Sequence, residues 1–199
     1  MKRFKGTRGM ICLLALILIV VGYYYYLSNK SHKKAQEENV VISNAQNLLL
    51  RDLDRNYPPT PKEVLKYYLE ITKCLHNEQL AEDELTDLAN KLLMLYDDEL
   101  AANKSQDAYL TDLKSEISTF RDNDYAISSY SVSASTDVEE FKEDGYSFAR
   151  LYCTYYIRVK TSMQNLNEVF LLREDDNGHW KIYGWQQVTE EEMETNENE

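Results

Sequence analysis

Apolar positions along this chain follow three successive rhythms: one unbroken run, then a helical period, then alternation. The run is residues 10–27, MICLLALILIVVGYYYYL, the only one of its kind in the chain. Eighteen residues at about 1.5 Å each cover roughly 27 Å, close to a hydrocarbon core of about 30 Å. Tyr23 to Tyr26 would then sit at headgroup level, where amphipathic rings are favoured. Lys2, Arg3, Lys5 and Arg8 precede the run, Lys30, Lys33 and Lys34 follow it, and no acidic residue occurs before Glu37. A cleaved secretory signal shares the basic start and apolar centre. Val20-Val21-Gly22 is a marginal cleavage site, however, and the tyrosine cluster after it favours a retained anchor. Cys12 lies near the start of the run, which excludes a lipobox. A short basic N-terminus resists translocation. The expected layout is a cytoplasmic stub over 1–9, a transmembrane helix over 10–27, a polar stalk over 28–57, and a domain outside the cytoplasm.

The helical rhythm begins at YPPTPKEV. Thr60 followed by Pro61 and Glu63 is a capping box, with proline at the first helical position where its missing N–H costs nothing. The spacing predicts a helix over Pro61–Asn77 with Val64, Leu65, Tyr68, Ile71, Thr72 and Leu75 on one face. A second helix, Glu82–Tyr96, buries Leu85, Leu88, Ala89, Leu92, Leu95 and Tyr96. A third follows Ser105, a good N-cap, with a stripe of Tyr109, Leu110, Leu113, Ile117 and Phe120. None of the three is stable alone in water, so all need a common surface to cover.

From Tyr125 the period falls to two. Four strands are expected, at about 125–136, 146–161, 166–175 and 179–188. Asn177-Gly178 between the last two is a strong hairpin signal. A two-residue turn there sets Glu174 opposite Lys181, Leu172 opposite Tyr183 and Phe170 opposite Trp185. A three-residue loop would instead oppose Arg173 and Lys181, a mildly unfavourable like-charge pair. Residues 189–199, TEEEMETNENE, carry six glutamates and no basic residue, the composition of a disordered tail. The expected fold class is therefore α+β: a transmembrane helix, then three helices packed on a curved antiparallel sheet of about four strands.

This order resembles the NTF2-like (cystatin-like) superfamily over about residues 58–188. The carriers are YPPTPKEVLKYYLEITKCLHN as a long first helix and EVFLLREDDNGHWKIYGWQQV as the terminal strand pair. The resemblance implies a cone, with helices lying inside a curved sheet. The whole layout is also similar to uncharacterised single-pass membrane proteins of Gram-positive bacteria, and to components of conjugation and secretion machines. Enzymes of the resembled superfamily use Asp, Tyr or His inside the cone, but no such catalytic residue carries over to a position here.

Charge narrows the choice of partners. Residues 1–34 hold seven of the 22 basic residues and none of the 34 acidic ones, so residues 35–199 carry a net charge of −19. A domain that acidic is a poor ligand for nucleic acid. Of three cysteines, Cys12 falls in the membrane run, which leaves Cys74 and Cys153 as free thiols or a single bridge. His76, at a helix end, and His179, beside a turn, are expected to face solvent. No Asp or Glu falls on the apolar stripe of a predicted helix, so no desolvated base is in evidence. Metal, nucleotide and cofactor motifs are absent from the sequence, and Asp97-Asp98-Glu99 reads as a solvated helix start.

These readings point first to a non-enzymatic interaction module held at a membrane by residues 10–27. The alternative is a small-ligand binder or enzyme that uses the cone cavity. A cavity holding a buried carboxylate or imidazole favours the alternative, and a cone plugged by Leu, Ile and Tyr favours the first. A partner or homodimer surface is expected on one sheet face, with Tyr152, Tyr156, Phe170, Leu172, Tyr183 and Trp185 beside Arg158. Leu151, Tyr155, Ile157, Val169, Leu171 and Ile182 are expected on the other.

Overall fold

A computed structural model describes residues 42–189 and 191–193. The stub 1–9, the span 10–27, residues 28–41 of the stalk and tail residues 190 and 194–199 lie outside the described residues. Among the described residues, no helix is long and apolar enough to cross a membrane.

The fold is α+β. Its helices are α1 (Asn44–Leu49), α2 (Pro61–Asn77), α3 (Glu82–Leu95), α4 (Asp98–Ala101) and α5 (Gln106–Asp122). The strands are β1 (Tyr125–Val132), β2 (Glu139–Glu143), β3 (Tyr146–Val159), β4 (Ser162–Glu174) and β5 (Trp180–Val188). They form one five-stranded antiparallel sheet of order β1-β3-β4-β5, with β2 pairing the first part of β3. Both N-cap side chains accept as expected, Thr60 Oγ1 from Glu63 N at 3.2 Å and Ser105 Oγ from Ala108 N at 3.3 Å, but Glu63 does not return the bond that would complete a capping box.

The core lies between the helices and one sheet face. Val64, Leu65, Leu69, Ile71 and Leu75 of α2 are fully buried, as are Ala149, Leu151, Phe170, Leu172 and Ile182 of the sheet. Burial of each large side chain removes it from water at a gain of about 1.5–3 kcal/mol, and together these contacts hold α2 to the sheet. Residues 43–57, expected in the stalk, belong to this packing. Ala45 and Leu53 are buried, and Tyr67 Oη donates to the Leu48 carbonyl at 2.6 Å. A capping box on Ser43 nucleates α1, and short apolar pieces that read as isolated become the outer layer of the core.

Three details of the sheet depart from expectation. The fifth strand, β2, has Phe141 as its sole large apolar residue, so its alternation is nearly invisible. Asp144 and Gly145, at φ 51° and 89°, make the left-handed turn that joins β2 to β3, and Phe141 stacks on Phe148. Second, β3 and β4 meet at a two-residue turn, Lys160-Thr161, so β4 starts at Ser162 rather than near Leu166. Third, the Asp175 N–H donates to the His179 carbonyl at 2.8 Å around a three-residue loop, 176–178, with Gly178 at φ 78°, and Arg173 pairs with Lys181. Asp175 Oδ1 accepts from the N–H of Asn177 and of His179, both at 2.8 Å, which stabilises this longer loop. The like-charge pair is tolerated because each cation has its own acceptors. Arg173 reaches Asp97 and Glu99, and Lys181 Nζ donates to the Met94 carbonyl at 2.7 Å. An irregularity between Leu171 and Leu172 absorbs Tyr183 and restores Phe170 opposite Trp185.

This register also reassigns the faces. Leu151 pairs with Phe170, Ala149 with Leu172, and Leu172 with Ile182, so all share the helix-covered face. Val169 and Leu171 pair with Tyr152 and Arg150 on the outer face. The shift follows from the two-residue turn after β3: a strand that starts earlier and pairs tightly changes which of its alternate residues point inward.

Candidate functional site

The helices do not fill the space above the sheet evenly. Helix α5 is secured mainly at its C-terminal end, where Arg121 donates to the carbonyls that end α2: Leu75 at 3.0 Å, His76 at 3.4 Å, and Glu78. Asn77 clips the same corner to β1, donating to the Ile127 carbonyl at 2.8 Å and accepting from its N–H at 2.9 Å. The other end of α5 rests on surface pairs: Lys114 with Glu82, Lys104 with Asp112, and Gln106 with Asn90. A cavity of about 590 Å³ remains between α2, α3, α4, α5 and the far half of the sheet. That volume suits a small organic molecule.

Aromatic rings make up much of its wall: Tyr68, Tyr96, Tyr109, Phe120, Tyr155 and Trp185. Trp185 is centred 6.1 Å from Tyr68 and 5.8 Å from Tyr96, and Tyr96 lies 6.1 Å from Tyr109. Burial pushes all four phenols well above their ordinary value, so they stand neutral with O–H groups available. The hydroxyls of Tyr68, Tyr96 and Tyr109 are one another's neighbours. Tyr155 differs. It is 5 % exposed, and no hydrogen bond engages its hydroxyl among the described residues. Thr72 Oγ1, on the same wall, is buried without a hydrogen-bond partner. Thr72 Oγ1 is thus buried and unpaired, and the Tyr155 hydroxyl unengaged, at one cavity, a costly arrangement in a closed protein.

Charged groups complete the lining. His76 is 5 % exposed rather than solvent-facing, because α5 closes over the end of α2. Its Nδ1 donates to the Thr72 carbonyl at 2.8 Å, and its Nε2 lies 3.2 Å from Glu116 Oε1. That contact holds the exposed Glu116 carboxyl below its ordinary range. Glu168 projects from β4 on the helix-covered face, directly across from Cys153. Burial, and secondarily the charge of Glu116, push its carboxyl up to about 7. No ion pair or hydrogen bond engages it among the described residues. A carboxyl so placed can bind a cation, donate a hydrogen bond, or exchange a proton near neutral pH.

The seven residues expected to share a partner surface are divided, and Leu172 is fully buried on the helix-covered face. Phe170 is fully buried in the core, and Trp185, although 41 % exposed, lines the cavity. Tyr152 and Tyr156 are half-buried on the outer face, with Arg158 exposed at its end. Tyr183 is also on that face, edge-on to Phe148 and 4.8 Å from the Arg173 guanidinium. Arg173 lies between the rings of Tyr183 and Tyr146, and it pairs with Asp97 at 2.6 Å and Glu99 at 2.8 Å. Asp97 is therefore no solvated helix start but a buried N-cap whose backbone N–H donates to the Ile182 carbonyl at 2.9 Å. Cys74 and Cys153 are both buried and free. His179 stacks on Tyr57 at 4.4 Å.

Sequence reasoning missed Glu168 because it weighed carboxylates on helices only. The signal was present in β4: in L-N-E-V-F, Glu168 sits two residues from both Leu166 and Phe170, on their face.

The whole unit recurs as a family. A family model described as a domain of unknown function (DUF6715) matches residues 1–185, so the chain belongs to that family. The search of curated proteins finds no match.

Proposed function

We propose that this protein is a membrane-anchored binder of a small amphipathic molecule, held in the cavity under α5. The observation that carries the reading is the pair of unpartnered hydroxyls, Tyr155 and Thr72, on the wall of a 590 Å³ aromatic cavity beside the unpaired Glu168. Unpaired polar groups in a core cost stability; at a binding site they are complemented when the ligand enters. The helices-then-sheet order supports an NTF2-like arrangement, in which the space inside the sheet is the natural place for a ligand. The apolar run at 10–27 supports anchoring, and the family match spans both run and domain. With residues 1–9 inside, protease added to intact cells removes the domain and spares the stub. Protection of the domain contradicts this orientation.

Binding is tested by thermal denaturation of the full chain in lipid nanodiscs with neopentylbenzene, a compact apolar aromatic probe. A ligand of the native state raises the midpoint with its concentration. The expected result is a saturating rise that Leu166→Phe, which fills the cavity at β4, abolishes. No rise, or an equal rise in the variant, counts against the cavity.

A further inference from the structure

We infer that the ligand of this cavity is an organic cation, an ammonium group on an apolar body, received by the aromatic wall and neutralised by Glu168. The inference rests on the reading above, that the cavity binds a ligand, and adds its charge.

The lining supplies the argument. Its ionisable groups other than phenols are His76, Lys104, Asp112, Glu116 and Glu168. Lys104 is engaged by Asp112, and His76 by Glu116. Glu168 is left over, so the cavity has an uncompensated acid and no uncompensated base. An anionic ligand meets repulsion there and finds no cation to satisfy it. A cation meets a carboxylate and several ring faces, and a desolvated cation is attracted to ring faces by their quadrupole. The neutral phenols add hydroxyl oxygens as acceptors, with that of Tyr155 unengaged. The strongly acidic remainder of the domain raises the local concentration of cations and so favours entry.

Protons sharpen the expectation. Facing Glu168 are Tyr68 of α2, Glu116 of α5, and Cys153 and Tyr155 of β3. His76 and Asp112 stand farther along the same cavity. The phenols and the thiol are held neutral by burial, so among the groups that face one another here Glu168 is the one whose charge changes near neutral pH. Ammonium binding favours its ionised form and displaces its proton to solvent. Affinity for a cation therefore rises with pH through this range, and affinity for a neutral ligand does not.

The test compares benzyltrimethylammonium with its uncharged isostere neopentylbenzene, on the full chain in zwitterionic nanodiscs. Chain containing 5-fluorotryptophan reports each titration at the Trp185 resonance. The cation is expected to bind about tenfold more tightly than the isostere. Its affinity strengthens from about pH 6 to about pH 8, and Glu168→Gln removes both the preference and the pH dependence. Equal binding of both probes, with Glu168→Gln silent, overturns the cation while leaving the cavity as a ligand site. Binding of the cation that Glu168→Gln does not weaken places it on the acidic surface and also overturns the inference. Failure of both probes removes the cavity reading with it.

Discussion

The two ends of the space between helices and sheet are built from the same strands yet finished differently. At one end Ala149, Leu151, Phe170, Leu172 and Ile182 meet Leu65, Leu69 and Leu95, and all are fully buried. A few residues along the same strands, Tyr155, Ile157, Leu166 and Glu168 face a cavity. Aliphatic side chains interdigitate to crystal-like density, so the first end has no room to spare. Rigid phenols and a carboxyl cannot collapse onto one another in the same way, and their polar atoms require partners. The contrast teaches that packing is uneven along the strands, with the packed end holding the sheet while the other end stays open.

The largest expected effect breaks the packed end. Phe170→Ala should cost about 3–5 kcal/mol, read as a fall in the urea midpoint. Tyr155→Phe, at the open end, removes an unpartnered hydroxyl and should leave stability unchanged or slightly raised. Equal losses from both would mean that the two ends are packed alike. Next comes the outer brace of the packed end. Arg173→Ala leaves Asp97, 4 % exposed, without its guanidinium and should cost about 3 kcal/mol.

A pH series separates the ends further. The Glu168 carboxyl is raised from 4.5 to about 7, so the folded state holds its proton where the unfolded state has released it. Stability therefore falls as pH rises between those values. Glu168→Gln should remove that part of the slope, so the variant gains on the parent as pH rises through the window. A constant difference between them would show that Glu168 is not desolvated. The smallest of the expected losses belongs to the hairpin: Gly178→Ala, at φ 78°, should cost about 1 kcal/mol and leave the cavity untouched.

Much of the packed end was legible in the sequence because helical stripes and capping residues are local signals. Thr60, Ser105 and the faces of α2 and α3 needed no knowledge of their neighbours. Register was less legible. The loop at Asn177-Gly178 depends on the local Asp175 acceptor and on partners far away in sequence, Asp97, Glu99 and the Met94 carbonyl, which make an Arg173–Lys181 pair tolerable. The Asp144-Gly145 turn was a readable sign of β2, but its strand has too little alternation to draw notice. The open end was nearly illegible. Tyrosine on an apolar stripe usually means core, and only the tertiary fold shows that α5 leaves Tyr155, Thr72 and Glu168 around shared empty space.

The central claim is that this open end admits a ligand, and the chain holds a built-in pair of reporters. Its two tryptophans, Trp180 and Trp185, both stand on β5, but only Trp185 lines the cavity. Fluorine spectra of 5-fluorotryptophan-labelled full chain, titrated with neopentylbenzene, measure both sites at once. The account predicts a saturable shift of the Trp185 resonance while Trp180 stays in place. Two unmoved resonances, or two that move together without saturating, would contradict it.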